Sequence, residues 1–526
     1  MRQLISITLC FLIVFALCPS VAAAGETIAL AETDGSAMNE ENKNASKPLG
    51  LVAKDIPSDH WARKAIETLN DHKVMLGYQG LFRPDDRITR AEYCALINRA
   101  FGYFKKGETS LFKDSGHDSE KWKDVEIMKA AYQGYLKGSS GYALPGREIT
   151  REEAMVILSR LLRQESVADS TPFSDEGEVS AWAKPLIAAL WKEGYISGNG
   201  GLLSPKAAIT RAETAQLLYS SIGELLDKGS LYDMENKVLG HVTISTSDVV
   251  LKNAVIKGNL YITEGVGDGA VTLDNVKVEG RTIIAGGGVH SVIIINTELG
   301  RAVIDVPDGA SVRFAAQGNS SVDSVMVFSD SIIDATGSQV GIESVVIAIP
   351  EGGSVDLDGS FGMVEIETSS LTVNARDGVI DQLIVAGTAL DAEVNLHHTA
   401  SVGSLVCDAQ SQILGGGQIN SAIINVNDVT LEQRPESLTM PRGIGAKVAG
   451  QTQNSGYSAT AGAAAAVVAF QGIYTQIGDI NSYIYHWIVE NGYRMSGKAF
   501  NIYYISPGNE PNPENFVTEI CYPIKK

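Results

Sequence analysis

The spacing of hydrophobic positions divides the chain into three parts. Before about residue 223, apolar residues recur at helical intervals, as Trp61, Ile66 and Leu69 do. Between residues 240 and 435 they occur as short β-branched runs separated by Gly, Asn and Asp, which is typical of strands and turns. After residue 464 aromatic residues become dense. The pattern predicts a multidomain chain with helices first, then an all-β region, then a small α+β module.

A unit of about 60 residues repeats three times in the helical part. Trp61, Trp122 and Trp182 are 61 and 60 residues apart, and the same intervals separate a set of glycines and a set of five-residue strings. The glycines are Gly77, Gly138 and Gly198, and the strings are Ile88-Thr-Arg-Ala-Glu92, Ile149-Thr-Arg-Glu-Glu153 and Ile209-Thr-Arg-Ala-Glu213. We predict helix–loop–helix units within 53–223, at 53–102, 111–163 and 172–223.

Each string predicts the start of the second helix of its unit. Thr followed three residues later by Glu is a capping box, and the isoleucine before it suits a hydrophobic staple. Capping does not explain the arginine, because the helix dipole disfavours a cation in the first turn. An arginine beside free helix N–H groups makes a good site for a carboxylate or phosphate. We therefore expect Arg90, Arg151 and Arg211 to bind an anion; the alternative is solvated or structural ion pairs.

The whole unit, Phe-x-Asp … Trp-Ala … Gly-Tyr … Pro … Ile-Thr-Arg-Ala-Glu, resembles the S-layer homology (SLH) domain. The resemblance implies a helical pseudo-trimer that anchors exported proteins non-covalently to the secondary cell-wall polymer of Gram-positive-type envelopes. That polymer is anionic and often pyruvylated. The implied polymer-binding residues are the acid near each repeat start, the tryptophans, the turn glycines and the string arginines: Asp55, Trp61, Gly77, Arg90, Asp114, Trp122, Gly138, Arg151, Asp175, Trp182, Gly198 and Arg211.

The second repeat departs most from this pattern. It has Lys121-Trp122-Lys123 in place of Trp-Ala, Glu152 in place of Ala, and no Tyr after Gly138. The tryptophans also suit a purely structural role as core anchors, and one ring face can pack while the other stacks on a sugar.

The region 240–435 predicts a right-handed parallel β-helix or a similar solenoid. Strand starts fall near Val249, Val271, Val292 and onward to Ile413, about 20 residues apart on average. A β-sandwich is the alternative, but its turns would be nearer 8–12 residues apart. We read the region as a passive spacer or interaction surface.

A catalytic site on this solenoid is the alternative reading. Asp356 with Asp358, or Glu365 with Glu367, would supply the paired carboxylates of a glycosidase. Each pair alternates along one strand, so its members simply share a solvent-facing side. The adjacent His397 and His398 lack further ligands for zinc in the sequence around them and are read as surface residues. We expect no catalytic residues, no metal and no cofactor.

Residues 436–463 read as a flexible linker, and 464–526 as a β-α-β-β unit. The strings Gly472-Ile-Tyr474, Trp487-Ile-Val-Glu-Asn-Gly-Tyr493, Ile502-Tyr-Tyr504 and Thr518-Glu-Ile-Cys-Tyr-Pro523 resemble the second half of the GyrI-like effector-binding domain. The resemblance implies binding of small, often cationic or aromatic molecules. A single half exposes its groove or pairs with another copy, so self-association of this module is one expectation. The other is that the aromatics only form its core.

The ends and the charge of the chain bear on where it works. Residues 1–24 read as a secretory signal peptide and 25–52 as a polar leader. The net charge is −20, which argues against nucleic acid as a partner, and after signal cleavage no membrane contact is expected. Residues 241–435 hold 24 Asp+Glu and 8 Lys+Arg, so 8 − 24 = −16 of that charge lies on the predicted solenoid.

These features together predict a non-enzymatic, secreted protein of the cell wall or S-layer surface. Its SLH repeats would hold an anionic wall polysaccharide, its solenoid would act as spacer, and its last module would bind something small. The alternatives are a wall-anchored lyase or hydrolase with its site on the solenoid, and a surface receptor for small molecules.

Overall fold

The structure is a computed structural model that describes residues 53–107, 112–115, 118, 120–307, 311–441, 444–454, 460–461, 465–471, 477–496, 498–505, 512 and 516–525. The predicted signal peptide (1–24) and leader (25–52) lie outside these residues. None of the helices described in these ranges is long and apolar enough to cross a bilayer.

The repeat region forms helices in consecutive pairs, as the repeats predict. They are α1 (Arg63–Asp71), α2 (Arg90–Ala100), α3 (Trp122–Tyr132), α4 (Arg151–Leu161), α5 (Lys184–Lys192) and α6 (Arg211–Ile222). Thr89, Thr150 and Thr210 form complete capping boxes at the starts of α2, α4 and α6, which confirms the expected role of Thr and Glu in the strings. The buried faces of the helices form one hydrophobic core.

A closed ring of hydrogen bonds joins the three units. The N–H of Ile88 donates to the carbonyl of Ile209 (3.4 Å), that of Ile149 to Ile88 (3.1 Å), and that of Ile209 to Ile149 (3.0 Å). All three isoleucine side chains are fully buried. Because each unit bonds to the next and the third bonds back to the first, the helical region has the predicted pseudo-threefold arrangement.

The β region is a parallel solenoid whose successive turns stack as two ladders. Its strands are β1 (Glu224–Leu226), β2 (Leu231–Leu239), β3 (Val242–Ile244), β4 (Val249–Ile256), β5 (Leu260–Ile262), β6 (Val271–Ile284), β7 (Ile293–Ile295), β8 (Glu298–Ile304), β9 (Val312–Gly318), β10 (Ser321–Val327), β11 (Ser331–Ser338), β12 (Ile342–Ile347), β13 (Ser354–Asp358), β14 (Phe361–Ile366), β15 (Thr372–Val385), β16 (Ala392–Leu396), β17 (Ala400–Cys407), β18 (Ser411–Gly415), β19 (Gln418–Ile424), β20 (Val429–Leu431), β21 (Ser437–Thr439), β22 (Gly445–Val448) and β23 (Gln451–Asn454).

Aliphatic side chains stack in register from turn to turn inside the solenoid. One column consists of Leu226, Ile244, Ile262, Ile284, Ile304, Val327, Ile347, Ile366, Val385, Cys407 and Ile424. Every member is buried, so the column is a continuous core. Cys407 fills this column as a small apolar residue, and burial raises the pKa of its thiol to about 12.

The solenoid is longer than the sequence predicts at both ends. It begins at Glu224 rather than 240, because β1 and β2 pair in parallel with β3 and β4. It also continues into 436–463, where a flexible linker was expected: β21 pairs with β19, and β22 pairs with β20. Ala446 and Val448 alternate with polar residues and complete the solenoid core, which is why this short segment forms a strand. Finally, β23 turns back antiparallel to β22.

A smaller antiparallel sheet with one helix follows. Its elements are β24 (Thr460–Ala461), β25 (Ala465–Gln471), α7 (Ile477–Glu490), β26 (Arg494–Met495), β27 (Phe500–Ile505) and β28 (Val517–Lys525). Strand β28 pairs with β25, β26 and β27. The predicted order of strand, helix and two strands is therefore present, with two short strands added. Ile480, Ile484 and Ile488 of α7 pack on the sheet.

The helical region packs directly against the first turns of the solenoid. Tyr261 and Ile283 of the solenoid belong to the core of the helical region. The hydroxyls of Tyr195 and Tyr261 are 2.7 Å apart, and the guanidinium of Arg281 donates to the carbonyl of Arg163 at 2.8 Å. A shared core and polar contacts therefore join the two regions at this junction.

Candidate functional site

The acids expected to bind polymer hold loops within their own units. Asp55 accepts the backbone N–H groups of Phe82 and Arg83 at 2.8 and 2.6 Å. Asp114 and Asp175 accept the equivalent pairs, from Ala143 and Leu144 and from Leu203 and Ser204, at 2.7–2.9 Å. Both oxygens of each carboxylate are thus engaged with backbone, and their role in the structure is to fix the loop before the string.

The string arginines connect neighbouring units. The Nε–H of Arg90 donates to the carbonyl of Ala143 (2.7 Å), that of Arg151 to Leu203 (2.7 Å), and that of Arg211 to Phe82 (2.8 Å). Each arginine therefore reaches the loop of the next unit around the pseudo-threefold axis.

The helix N–H groups beside these arginines are not free, contrary to the sequence-based expectation. At the start of α2, the N–H groups of Arg90 and Ala91 donate to the carbonyls of Arg147 and Pro145 at 2.9 and 3.1 Å. The starts of α4 and α6 are covered in the same way by the next unit. The sequence-based expectation considered each unit alone, whereas in the structure the helix N–H groups bond to carbonyls of the neighbouring unit. Any anion bound here must be held by side chains.

Each string arginine also faces the capping glutamate of the next unit. Arg90 lies 3.6 Å from Glu153, and Arg151 lies 2.7 Å from Glu213. Burial by itself raises the pKa of Glu153, but hydrogen bonds from Arg147 and Thr150 and the charge of Arg90 outweigh it and hold that pKa below its ordinary value. Structural ion pairs, the alternative considered for the arginines, are thus present.

Two clefts combine predicted site residues from all three units. The first contains Arg90 of the first unit, Gly138 of the second and Trp182 of the third, and has a volume of 340 Å³. The second contains Arg151, Gly198 and Trp61, and has a volume of 620 Å³. Both tryptophans are more than half exposed, although the ring of His60 stacks on that of Trp61 with centroids 5.7 Å apart. We call these clefts the first and second grooves.

The two grooves differ in charge. Lys137, Arg147 and Arg160 line the first groove together with Arg90, against the single carboxylate of Glu153. In the second groove, Arg151 and Glu213 are the only charged residues among the described lining residues, and they form an ion pair. The first groove is therefore cationic and suited to an anionic ligand, whereas the second is balanced. Sequence reasoning missed Lys137, Arg147 and Arg160, because only the trimer shows which side chains face a shared cleft.

The remaining predicted residues, Gly77, Trp122 and Arg211, line neither of the two grooves. The guanidinium of Arg211 lies over the ring of Phe82 (4.8 Å) and also donates to the carbonyl of Leu76 at 3.0 Å. Trp122 is half-buried against the helical core, with the ammonium of Lys123 over its ring at 5.6 Å. Because of these interactions, less of the Trp122 ring and of the Arg211 guanidinium is available to a ligand than of the tryptophans and arginines in the two grooves. For Trp122, this agrees with the Lys-Trp-Lys departure in the second repeat.

Gly138 and Gly198 are required by close approach as well as by conformation. Both have positive φ, +62° and +69°. A Cβ at Gly138 would lie 2.5 Å from the ring of Phe112, and one at Gly198 would lie 2.5 Å from the ring of Phe173. Because they lack a Cβ, Gly138 and Gly198 let the rings of Phe112 and Phe173 pack against the turns that line the first and second grooves.

On the solenoid, Asp356 and Asp358, the first candidate carboxylate pair, are held by ion pairs with Arg376. Asp356 pairs with Arg376 and accepts a hydrogen bond from Asn374 (2.7 Å), while Asp358 lies 3.7 Å from Arg376. Burial raises the pKa of Asp358, and nearby acids add to this effect although Arg376 opposes it. These interactions link polar side chains of neighbouring solenoid turns and are structural.

The paired histidines and the metal-ligating residues give no metal site in the described parts of the chain. The rings of His397 and His398 are 4.0 Å apart, and the Nδ1 of His397 lies 2.8 Å from the Thr399 hydroxyl. No three His, Cys, Asp or Glu side chains gather in these parts in a way that would hold a metal ion. Cys94, Cys407 and Cys521 are buried free thiols.

Comparisons with known families agree with the two resemblances seen in the sequence. The family model of the S-layer homology domain matches residues 54–94 and 172–215, and that of the GyrI-like small molecule binding domain matches 445–525. The chain thus carries S-layer homology domains followed by a solenoid and a GyrI-like region. The matches fall on the first and third repeats, and the second repeat has the same fold despite its departures.

Curated relatives share only part of the chain. It is 29% identical to the exoglucanase XynX of Acetivibrio thermocellus over 35% of this chain and 17% of that protein. It is 31% identical to the surface-layer 125 kDa protein of Lysinibacillus sphaericus over 31% and 14%. It is 27% identical to the cellulosome-anchoring protein of A. thermocellus over 32% and 38%. The chain therefore spans well under half the length of each of these relatives.

Among solved structures, the chitinase ChiW of a Paenibacillus strain matches with a TM-score of 0.29 and 19% identity, over 45% of this chain and 22% of that one.

Proposed function

We propose that this protein is held at the cell surface by its helical trimer, which binds an anionic, pyruvylated secondary cell-wall polysaccharide. The observation that carries the proposal is the first groove. It gathers four cationic side chains against one carboxylate, beside the exposed ring of Trp182. A carboxylate on a sugar ring needs both features: a cation for the charge, and an aromatic face for the apolar side of the ring.

The second groove supports the same function with weaker electrostatics. Trp61 supplies the stacking surface there, and Arg151 keeps part of its donor capacity beside Glu213. Its balanced charge favours the sugar ring over the anionic substituent. The first groove accordingly supplies most of the affinity for charged polymer, and the second groove adds avidity along a chain with many repeats.

Substitution of the two groove tryptophans tests the proposed binding of the helical region to the cell wall. We expect a Trp61→Ala/Trp182→Ala variant to lose most of its sedimentation with purified cell walls, because both stacking surfaces are gone while the inter-unit contacts remain. Phe104→Ala is the matched control, since Phe104 is an equally exposed aromatic outside both grooves. Undiminished pelleting of the double variant, with the control also unchanged, would contradict the proposal.

Arginine variants make a less direct test of the same groove. Arg90 and Arg151 each join two units, so their replacement confounds binding with folding. Lys137 is exposed and makes no such contact with a neighbouring unit in the described structure, so Lys137→Ala combined with Arg160→Gln removes cations without removing the inter-unit bonds. Weaker binding that is further weakened by salt is the expected result.

The solenoid, in this proposal, separates the anchor from the last module. Its continuous aliphatic column makes it a stiff element, and the region 241–435 carries most of the net negative charge. Asp356 and Asp358, one of the two carboxylate pairs considered for a glycosidase, face Arg376 in ion pairs, and we propose no catalytic role for the solenoid. Release of reducing sugar from wall polysaccharide by the purified protein would contradict this part.

The C-terminal region supports a second function, binding of a small molecule. Residues 445–525 match the GyrI-like small molecule binding domain, and the rings of Trp487 and Tyr493 lie parallel with centroids 6.0 Å apart. We propose that a planar aromatic compound binds near this pair. A planar cationic dye should quench part of the tryptophan fluorescence of the full chain, and that part should vanish in Trp487→Phe. Equal quenching in both proteins would argue against binding at this place.

A further inference from the structure

A polar cleft of 640 Å³ lies where the helical region meets the first turns of the solenoid. Helix α1 contributes Lys64 and Thr68 to it, helix α6 contributes Ser220, and the solenoid contributes Lys237 and Gly240. Neither groove described above explains it, and both helical region and solenoid are needed to form it. We call it the junction cleft.

The junction cleft adjoins the second groove. Ser220 lines both, and the amide of Gln216, which lines the second groove, donates to the Ser220 hydroxyl at 3.1 Å. Trp61, just before α1, lines the groove, while Lys64 and Thr68 of α1 line the cleft. Lys64 and Thr68 are four residues apart and therefore lie on one face of α1. Groove and cleft are thus bordered by the same segment, 61–68, and by the same helix, α6.

The chemistry of the cleft suits an extended, hydroxyl-rich chain. Its charged lining residues include two lysines, Lys64 and Lys237, and two acids, Asp71 and Glu224, so the charges balance. His72 is engaged with Asp227 at 2.8 Å, which joins α1 to the solenoid beside the cleft. Carboxylates accept hydrogen bonds from sugar hydroxyls, and side-chain hydroxyls both accept and donate them. A lining whose charges balance gives no net attraction for a compact anion.

We propose that the wall polysaccharide continues from the second groove into the junction cleft, so that the solenoid takes part in binding it. This inference rests on the proposed wall-anchoring function and adds to it. A sugar unit stacks on Trp61, and the following sugars of the same chain lie between α1, α6 and the solenoid edge. The solenoid is then part of the receptor as well as a spacer. Affinity should rise with the length of the bound oligosaccharide.

A substitution that fills the cleft tests this. A Cβ at Gly240 meets no heavy atom within 4 Å, so Gly240→Trp places a large ring in the cleft without a clash at its base. Gly177→Trp is the matched control, since Gly177 has equally open surroundings and lines neither cleft nor grooves. The probes are single-repeat and multi-repeat fragments of secondary wall polysaccharide, released from purified walls, fractionated by size and titrated into the full chain by calorimetry.

We expect the unmodified protein to bind multi-repeat fragments at least tenfold more tightly than single repeats. Gly240→Trp should lose at least threefold of this gain, the remainder being the avidity of the two grooves, and keep its affinity for single repeats; Gly177→Trp should behave like the unmodified protein. A gain that is absent in the unmodified protein, or that survives in full in Gly240→Trp, overturns the inference.

Two further results separate failure of the inference from failure of the wall-anchoring function and from misfolding of the variant. If single repeats do not bind the unmodified protein at all, the wall-anchoring function itself fails, and the inference fails with it. If Gly240→Trp is not folded, Lys64→Ala/Lys237→Ala takes its place, since both lysines are exposed. That variant should lose at least threefold in affinity for multi-repeat fragments and nothing for single repeats; an unchanged preference for long fragments overturns the inference.

Discussion

The string arginines show how one residue serves both structure and ligand binding. Arg90 is 6% exposed, donates to the Ala143 carbonyl and faces Glu153. Its position at the start of a helix indicated an anion site; it lines the first groove, and anion binding there stays a prediction. What the position could not show is that the neighbouring N–H groups are already bonded to another unit.

We predict that Arg90→Met destabilises the protein by about 3 kcal/mol, because it leaves a buried carbonyl without its donor and weakens the pairing of Glu153. Urea unfolding followed by tryptophan fluorescence measures this loss. Arg87→Met should cost less than about 0.5 kcal/mol, since Arg87 and Glu148 form an exposed ion pair. Equal losses in the two variants would show that burial of Arg90 adds nothing.

We predict that the stability of the helical region falls in acid because of Glu153. The pKa of this carboxyl is lower in the folded protein than in the unfolded chain. Its contribution is therefore present above the unfolded value of about 4.3 and is lost as the pH falls through the folded value. Chemical denaturation at pH 6 and at pH 3.5 should show a smaller pH difference for Glu153→Gln than for the unmodified protein. An identical difference would contradict this assignment.

At the scale of single elements, the capping boxes and the solenoid strands follow from local sequence. Thr and Glu three residues apart start α2, α4 and α6, and β-branched runs form strands whose buried members alternate with polar ones. The ends of elements were harder to place. β22 was expected to be part of a linker, because four residues of alternating pattern carry little signal until Ala446 and Val448 meet the core of the preceding turn.

We predict that Ile347→Ala in the aliphatic column costs about 2–5 kcal/mol, because a cavity opens between fully buried neighbours in the turns on either side. The midpoint of thermal unfolding of the β signal in circular dichroism is the measurement. Val340→Ala should change it little, as Val340 is 66% exposed at a turn. Comparable shifts in both variants would mean that the column does not govern solenoid stability.

At the scale of the whole molecule, the helical region and the solenoid are joined through a shared hydrophobic core. Tyr195, Tyr261 and Asn259 form a buried hydrogen-bonded group at the junction, and the ring of His241 stacks on Tyr195 at 4.6 Å. Burial lowers the pKa of His241 at this junction.

We predict a single cooperative transition for the helical region and the solenoid in scanning calorimetry. Arg281→Ala removes the bond from the solenoid to the Arg163 carbonyl and should separate the transition into two. Lys277→Ala is the control, since Lys277 pairs with Glu298 on the exposed solenoid surface. Two transitions already present in the unmodified protein would contradict a shared core.

The sequence by itself determined what depends on local spacing. The 60-residue repeat, the capping boxes, the alternation in the solenoid and the strand–helix–strand order of the last module are all set by residues close together in the chain, because helix and strand periods are local properties. The resemblances to the SLH and GyrI-like families rest on the same local strings.

Only the tertiary structure decided which residues share a site. Each groove takes its arginine, glycine and tryptophan from three different units, and the cations Lys137, Arg147 and Arg160 join the first groove alone. Asp55 and its two counterparts proved to hold loops, and the junction cleft exists only where the helices meet the solenoid. Contacts between residues far apart in the chain depend on how the units pack, and no periodicity within one unit encodes that packing.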